Sequence, residues 1–192
     1  MKTGILGGSF NPIHNGHIAL ARQLLSLAGL DEIWLMVSPQ NPLKSQASLL
    51  DENERFRLVS LALADEPGLR ASDYEFHLPK PSYTWDTLQH LRHDFPDRRF
   101  SLLIGGDNWA CFDRWAHADE LLQNYDIFVY PRDREMNPVQ PLPPRVKIVH
   151  TPLLPVSSTE VRECIRAGKP FEQLVPPAVA DEIKKHHLYG AR

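Results

Sequence analysis

Residues 4–17 read GILGGSFNPIHNGH and join a short apolar run to a segment with helical periodicity. The run Gly4-Ile5-Leu6 is a candidate first strand. Residues 17–28 are a candidate first helix, because apolar side chains recur on one stripe from Ile18 to Ala28. Gly29 follows as a typical helix end. The glycine-rich turn between these two segments therefore predicts a strand-to-helix connection near the N-terminus.

The rest of the chain repeats this alternation of strands and helices. Continuous apolar runs, typical of parallel strands buried on both faces, occur at residues 33–37, at residues 102–104 after Phe100, and at residues 127–130. Residues 146–149 alternate in polarity, which predicts a strand nearer the sheet edge. Helical periodicity, with Asp51 and Thr84 as caps for the first two segments, occurs at residues 52–64, 85–94, 158–167 and 178–188.

This order of elements predicts an α/β fold with a doubly wound parallel sheet in a single domain, residues 1–192. Ligands of such sheets bind beyond the carboxyl ends of the strands. The proline-rich residues 131–155 are expected to form a long connection. Every loop that follows a strand is therefore a candidate site.

The composition excludes several classes of protein. Of the 192 residues 42% are apolar and 23% charged, and the formal net charge is −3, which is unlike a disordered tail, a collagen or a repeat array. A weakly acidic chain has no broad attraction for nucleic acid or an anionic membrane. No stretch approaches the ~18 apolar residues of a membrane span. We expect a cytoplasmic protein that binds neither nucleic acid nor a membrane. Its cysteines, Cys111 and Cys164, are expected to be reduced and buried.

Residues 7–17 form the first candidate site. Gly7 and Gly8 allow a ligand to approach the backbone and present N–H groups. His14 and His17 are three residues apart at a helix start, so both rings can project to one side, where a helix N-terminus favours an anion. We expect them to bind phosphate and stabilise charge on a leaving group. The structural alternative is a glycine turn with two surface histidines. A metal site lacks Cys, Asp or Glu partners at matching spacing nearby.

Residues 157–162, SSTEVR, form the second candidate site. Ser157 and Glu160 fit a capping box, which is a sufficient structural reason for both. Three hydroxyls at a helix start, with Arg162 one turn into the helix, would also form a phosphate cradle. The motif alone leaves the cap and the cradle equally open, and the first site favours the cradle.

These motifs resemble those of a known family. Residues 14–17 match the H-x-G-H signature of the nucleotidylyltransferase superfamily, and residues 157–162 match its S-S-T-x-[IV]-R signature. Residues 7–17 look like the opening of the bacterial nicotinate-nucleotide adenylyltransferases. Residues 83–88, YTWDTL, resemble the Y-T-x-D-T-L segment of that family, and residues 104–107 with Trp115 resemble its G-x-D…W segment. The resemblance spans residues 4–166 and implies a Rossmann-like sheet of the nucleotidylyltransferase type.

The resemblance implies transfer of AMP from ATP to nicotinate mononucleotide, giving deamido-NAD and pyrophosphate. The acceptor phosphate attacks the α-phosphorus, so catalysis rests on positioning and charge stabilisation. The implied catalytic residues are His14, His17, Lys44 and Arg162. The implied ATP-binding set adds Gly7, Gly8, Ser9, Phe10, Gly105, Asp107, Arg132, Ser157, Ser158 and Thr159. Mg²⁺ would be bound mainly through the ATP phosphates and water.

The residues implied for the mononucleotide are Asn41, Lys44, Thr84, Trp85, Asp107 and Trp115. Backbone N–H groups at Thr84 and Trp85 would face the nicotinate carboxylate, and Trp115 would stack on the pyridine ring. Three of these side chains have an ordinary structural alternative: Lys44 as a solvated lysine, Asp107 as a helix cap and Trp115 as a core residue.

The chain departs from the family pattern at three places. Residues 131–134, PRDR, replace the usual R-P-G around Arg132, Asn11 replaces a more usual Asp, and Leu43 stands where His is common. Two other functions stay open: the same transfer to nicotinamide mononucleotide or another phosphate acceptor, and a nucleotide-binding sensor without turnover. The presence of His14, His17, Lys44 and Arg162 argues against the sensor. A homo-oligomer is also open.

Overall fold

Six parallel strands form one sheet in the computed structural model, which describes residues 1–39, 49–131, 141–152 and 155–191. The strands are β1 (Lys2–Gly8), β2 (Glu32–Val37), β3 (Leu69–Ser72), β4 (Arg99–Gly105), β5 (Asp126–Tyr130) and β6 (Val146–Ile148). Their order is β3-β2-β1-β4-β5-β6, and every neighbouring pair is parallel. The predicted α/β class with a doubly wound parallel sheet is confirmed.

The centre of the sheet is a topological switch point. From β1 the chain builds β2 and β3 on one side and then β4, β5 and β6 on the other. Leu6 of β1 pairs with Leu35 of β2 and with Leu103 of β4. Gly4, two residues before Leu6 in β1, permits close packing around the strand, because a Cβ at Gly4 would lie 2.7 Å from Leu30 Cδ1 and 2.9 Å from Leu103 Cδ1. Open α/β sheets bind ligands at such a point, beyond the strand ends.

Helices cover both faces of the sheet. In the described parts of the chain they are α1 (Asn15–Leu27), α2 (Glu52–Ala62), α3 (Thr84–Asp94), α4 (Gly106–Trp109), α5 (Ala118–Asn124), α6 (Ser158–Arg166) and α7 (Pro177–Lys185). Two hydrophobic cores result. The core on one face of the sheet contains residues of α1, α2, α6 and α7, and the core on the opposite face contains residues of α3 and α5. Successive strand residues alternate between these cores, so that Ile5 and Leu6 lie in different ones. Each helix in these ranges is too short or too polar to cross a lipid bilayer.

The strands predicted from apolar runs and from alternating polarity are confirmed by the structure. Residues 33–37, 100–104 and 127–130 lie in β2, β4 and β5, and β6 is an edge strand, as its alternation predicts. Three of these elements lie outside the predicted set. The edge strand β3 reads LRAS and has no apolar run, and α4 and α5 have four and seven residues, too few to show a clear period.

Three smaller predictions were wrong. Helix α7 ends at Lys185 rather than at residue 188, because His187 takes a left-handed backbone conformation with φ 51°. Thr84 is the first residue of α3, and Tyr83 occupies the cap position instead. The thiols of Cys111 and Cys164 are free as predicted, but each residue is half-buried rather than buried: Cys111 lies in the turn after α4, and Cys164 lies on the amphipathic helix α6.

Arg55 of α2 is fully buried at the carboxyl end of the sheet. Its Nη1 donates to the carbonyls of Ser9 at 2.7 Å and Ser38 at 2.9 Å. Its Nη2 donates to Pro39 O at 3.2 Å and its Nε to Leu50 O at 2.8 Å. Burial lowers the pKa of Arg55, but a guanidinium stays protonated in proteins. One cation therefore joins the segments after β1, after β2 and before α2.

Arg55→Met should lower the free energy of unfolding by about 3 kcal/mol or more, because buried carbonyls lose a charged donor. Arg57→Met on the same helix is the matched control. Its ion pairs with Glu54 and Glu182 are partly exposed and should contribute less than about 1 kcal/mol. Chemical denaturation measures both variants, and equal losses would show that Arg55 does not join these segments.

Candidate functional site

A pocket of about 290 Å³ lies at the β1–β4 switch point. The ends of β1, β2, β4 and β5 line it, together with the start of α3 and residues 114–116. Its polar and aromatic lining includes Ser38, Glu75, Thr84, Asn108, Arg114 and Trp115. A concave site with a few convergent polar groups at the switch point is the expected place for a ligand.

The glycine-rich turn borders this pocket. Gly7 and Gly8 both line it, and a Cβ on Gly7 would meet no atom within 4 Å, so the main chain there faces open space. At Gly8 a Cβ would lie 2.9 Å from the ring of Phe10. Phe10 is buried and has a left-handed backbone with φ 43°. Its side chain therefore belongs to the core, and its main chain is what remains for the expected ATP contact.

His14 caps α1, and His17 lies in the first turn of that helix. Their rings stack with centroids 3.7 Å apart and planes inclined by 27°, so both project to one side, as the spacing predicts. His14 is buried and His17 is half-buried. The main-chain N–H of His14 donates to Nδ1 of His17 at 3.3 Å. A neutral His17 ring therefore carries its proton on Nε2, the form that donates to an anionic oxygen.

Gly16 explains the spacing of the two histidines. A Cβ at Gly16 would lie 3.0 Å from both Cε1 and Nδ1 of His14, and 3.4 Å from the carbonyl oxygen of Val156. The buried His14 ring, stacked on His17, has little room to yield. Val156 immediately precedes the second motif, so this glycine lets the two motifs lie side by side.

The start of α6 is built by the hydroxyls of the second motif. Ser157 occupies the cap position and accepts from the N–H of Glu160 at 3.1 Å, so the capping interaction is confirmed. Thr159 is exposed, and its Oγ1 accepts from Arg162 Nη2 at 3.2 Å. Glu160 places an acidic side chain in the first turn of α6, whereas the first turn of α1 has none. The N-terminus of α1 is therefore the more favourable of the two for an anion.

Two side chains of the second motif bind the main chain of the first. Ser158 Oγ donates to the carbonyl of Pro12 at 2.8 Å. Arg162 Nη1 donates to the carbonyl of Asn11 at 2.7 Å. The sequence reasoning expected these groups to contact phosphate. In this structure they hold the histidine turn, which places the guanidinium of Arg162 directly beside it.

The residues expected near the acceptor divide into two groups. Thr84 and Trp115 line the pocket, and the half-buried ring of Trp115 leans on Phe112 with centroids 5.1 Å apart. The side chain of Trp85 packs instead against the rings of His117 and Tyr125, at 5.5 and 6.2 Å. Only the main-chain N–H of Trp85 remains for a ligand, which is the role expected of it.

Gly105 and Asp107 lie at the carboxyl end of β4. Gly105 is buried and occupies the cap position of α4, which answers the alternative that Asp107 is the cap. Asp107 is exposed in the first turn of this short helix. Asn41, Lys44 and Arg132 lie outside the described residues, so their roles stay predictions.

Sequence reasoning missed two charged residues of the pocket, Glu75 and Arg114. Glu75 lies in a short 3-10 turn, Tyr74–His77, and Arg114 ends another, Phe112–Arg114. Such turns carry no periodic signal. Each residue lies close in sequence to a recognised segment, residues 83–88 and Trp115 respectively, and that proximity was the available signal.

The donor set at the histidine turn suits an anion rather than a resident metal ion. It consists of imidazoles and main-chain N–H groups, with the guanidinium groups of Arg162 and the buried Arg55 behind them, whereas Mg²⁺ prefers oxygen ligands. In residues 1–39, 49–131, 141–152 and 155–191, no group of three or more His, Cys, Asp and Glu is placed to hold a metal. These residues fit a phosphate chain.

The chain is similar to proteins of one family. The family model described as cytidylyltransferase-like matches residues 5–164. A relative from Bacteroides fragilis, named "Probable nicotinate-nucleotide adenylyltransferase", is 47% identical over 95% of this chain and 90% of its own length. A relative of the same name from Bacteroides thetaiotaomicron is 45% identical over 97% of this chain and 92% of its own length.

Solved structures share the fold. The nicotinic acid mononucleotide adenylyltransferase of Plasmodium falciparum, in complexes with NaAD and with APC, gives TM-scores of 0.81 and 0.80. It is 20% identical to this chain and covers 100% of it and 98% of the solved chain. At that identity the likeness shows the fold alone.

When its ring is neutral, His17 should be the Nε2–H tautomer, because Nδ1 accepts from the His14 N–H. His93 is the internal control: its Nδ1 lies 2.9 Å from Asp94 Oδ1 and should carry the proton. The ¹⁵N chemical shifts of the labelled imidazoles distinguish the two tautomers. A His17 ring protonated at Nδ1 would contradict this geometry.

Proposed function

The chain belongs to the nicotinate-nucleotide adenylyltransferases of the cytidylyltransferase-like family, and on that premise we propose that it transfers the adenylyl group of ATP to nicotinate mononucleotide. The products are deamido-NAD and pyrophosphate, a step of NAD biosynthesis. The position of the pocket is the observation that supports this reaction best. One end meets the Gly7–Gly8 turn that leads into α1, and the other meets Thr84 and Trp115.

The ATP phosphates would bind where β1 turns into α1. The main-chain N–H groups of the glycine turn, the His17 Nε2–H and the positive end of the α1 dipole all favour an anion there. Two guanidinium groups stand behind the same turn: Arg55 bonds the carbonyl of Ser9, and Arg162 bonds that of Asn11. These cations offset the charge of a triphosphate.

The transfer requires no protein nucleophile. An oxygen of the acceptor phosphate attacks the α-phosphorus of ATP, and the bond from that phosphorus to the oxygen bridging to the β-phosphorus breaks. The electron pair of the broken bond leaves on pyrophosphate. His14, His17 and Arg162 would stabilise this charge as it develops, with the hydroxyls of residues 157–159 beside them.

The acceptor would occupy the α3 end of the pocket. Its carboxylate would accept from the first-turn N–H groups at Thr84 and Trp85, because the amides that begin a helix have no partner within it. Its pyridine ring would stack on Trp115. A neutral carboxamide would forgo these charge-assisted bonds, which favours the acid.

Several finer points belong to the same proposal. Asp107, in the first turn of α4, would accept from ribose hydroxyls, and Lys44, Asn41 and Arg132 would add further contacts. Mg²⁺ would arrive bound to the ATP phosphates, since the described donors do not fit it. We also propose that residues 1–192 form a single domain and that the protein is cytoplasmic. Light scattering would show whether the chain forms a homo-oligomer.

Pyrophosphate release with ATP, Mg²⁺ and each mononucleotide tests the proposed activity. Release that depends on nicotinate mononucleotide supports it. Release with nicotinamide mononucleotide alone would reassign the acceptor. ATP binding without release for any acceptor would favour a sensor.

His17→Ala should lower kcat by about two to three orders of magnitude with the fold retained, because the transition state loses one positioned donor. His93→Ala removes an imidazole that is 89% exposed and serves as the control, with kcat unchanged. Steady-state kinetics and thermal unfolding of both variants measure these effects. Near-normal turnover of the His17 variant would remove that residue from the mechanism.

Trp115→Ala should raise the KM for the mononucleotide more than the KM for ATP, because the pyridine ring loses its stacking surface. Trp109→Ala is a close control. The rings of Trp115 and Trp109 both pack on the ring of Phe112, with centroid distances of 5.1 and 5.2 Å, but of the two only Trp115 is among the described residues that line the pocket. The Trp109 variant should leave the ratio of the two KM values unchanged. A larger rise for ATP in the Trp115 variant would place Trp115 at the adenine instead.

A further inference from the structure

The proposed reaction leaves one carboxyl group in the pocket wall without a role. Glu75 lines the pocket beside Ser38, Thr84 and Thr87. Thr87 Oγ1 donates to Glu75 Oε1 at 3.0 Å, and the Ser38 hydroxyl hydrogen-bonds to the same carboxyl. The partner Thr87 lies three residues after Thr84, about 4.5 Å along the helix axis. Glu75 therefore contacts α3 about one helical turn along from the N–H groups proposed to hold the substrate carboxylate.

We propose that Glu75 is a specificity-determining residue for the 3-substituent of the pyridine ring, an inference that rests on the proposed function. When its carboxyl is neutral, Glu75 tolerates a substrate carboxylate at the start of α3. When it is ionised, it repels that carboxylate and can accept from the NH₂ group of a carboxamide. The preference for the acid over the amide therefore falls as Glu75 loses its proton.

Glu75 changes its protonation state close to neutral pH. Burial raises the pKa of Glu75 to about 7, and the hydroxyls of Thr87 and Ser38 oppose this rise. A bound carboxylate nearby would raise the pKa further, because like charges disfavour ionisation. The substrate that carries a carboxylate is therefore favoured at pH values below the pKa of Glu75 and loses this advantage at higher pH.

Other ionisable groups surround Glu75, but they are not what raises its pKa. Its own turn, the start of α3 and the pocket walls contribute Tyr74, His77, Tyr83, Asp86, Arg114 and Tyr130. Tyr74 donates to Asp94 at 2.6 Å, and His77 lies 3.6 Å from Asp73. Burial and two neutral hydroxyls account for the pKa of Glu75, so its titration should appear as a single step.

The test is the ratio of kcat/KM for nicotinate mononucleotide to that for nicotinamide mononucleotide, from about pH 6 to about pH 8.5. Titrations of the shared 5′-phosphate, of ATP and of the histidines affect both substrates and cancel in the ratio. In the wild type the ratio should fall about tenfold as pH rises, the size of a like-charge coupling across one helical turn.

Two variants separate Glu75 from other causes. Glu75→Gln keeps the size of the side chain and stays neutral, so its ratio should be flat with pH. Thr87→Val removes a hydroxyl that lowers the pKa of Glu75, so the fall should move to higher pH. Thermal unfolding measures whether each variant is folded, and a flat wild-type profile would overturn the inference without them.

The outcomes distinguish this inference from the function on which it rests. A flat wild-type ratio, or a Gln variant with the wild-type slope, would overturn the role of Glu75 while leaving the proposed activity intact. Absence of turnover with either mononucleotide would overturn the proposed activity, and the inference with it.

Discussion

One buried guanidinium, that of Arg55, holds the end of the sheet where the proposed chemistry occurs. The main chain leaves the sheet after β1 and β2, and its carbonyls at Ser9, Ser38 and Pro39 would otherwise lie unpaired, which is costly for buried groups. Arginine suits this task because its planar fork carries five N–H donors, whereas lysine carries three on one atom. All four acceptors are neutral. The positive charge therefore persists behind the glycine turn and favours the anion in front of it.

The two signature motifs are parts of one structure. Arg162 and Ser158 bond the carbonyls of Asn11 and Pro12, and Gly16 leaves room for the His14 ring beside Val156. Each motif thus fixes the other, and side chains that a phosphate would contact also shape the turn that receives it. The sequence alone leaves cap and cradle as competing explanations, but the cap uses only the Ser157 hydroxyl, so it is compatible with the proposed phosphate contacts of the motif.

The sequence predicts the parts of this protein whose signal is local. The apolar runs of β2, β4 and β5 identify buried parallel strands, and the spacing of His14 and His17 places both rings on one side of α1. Arg55 and Glu75 escape such reasoning because a single charged residue in a polar stretch looks solvent-exposed. Arg55 is buried through carbonyls as far as 46 residues away in the chain. Such burial is decided by tertiary contacts, which no local pattern carries.

The charges around the pocket also decide which way a mononucleotide can lie. Nicotinate mononucleotide has an anionic group at each end, so the pocket must distinguish phosphate from carboxylate. Arg55 and Arg162 place two cations behind the β1 turn, whereas the α3 end offers helix amides bounded by Glu75. The more highly charged phosphate would gain more at the cationic end, and the carboxylate would be left to the amides and to Trp115, as proposed above. That orientation would bring the acceptor phosphate beside the ATP phosphates, as in-line transfer requires.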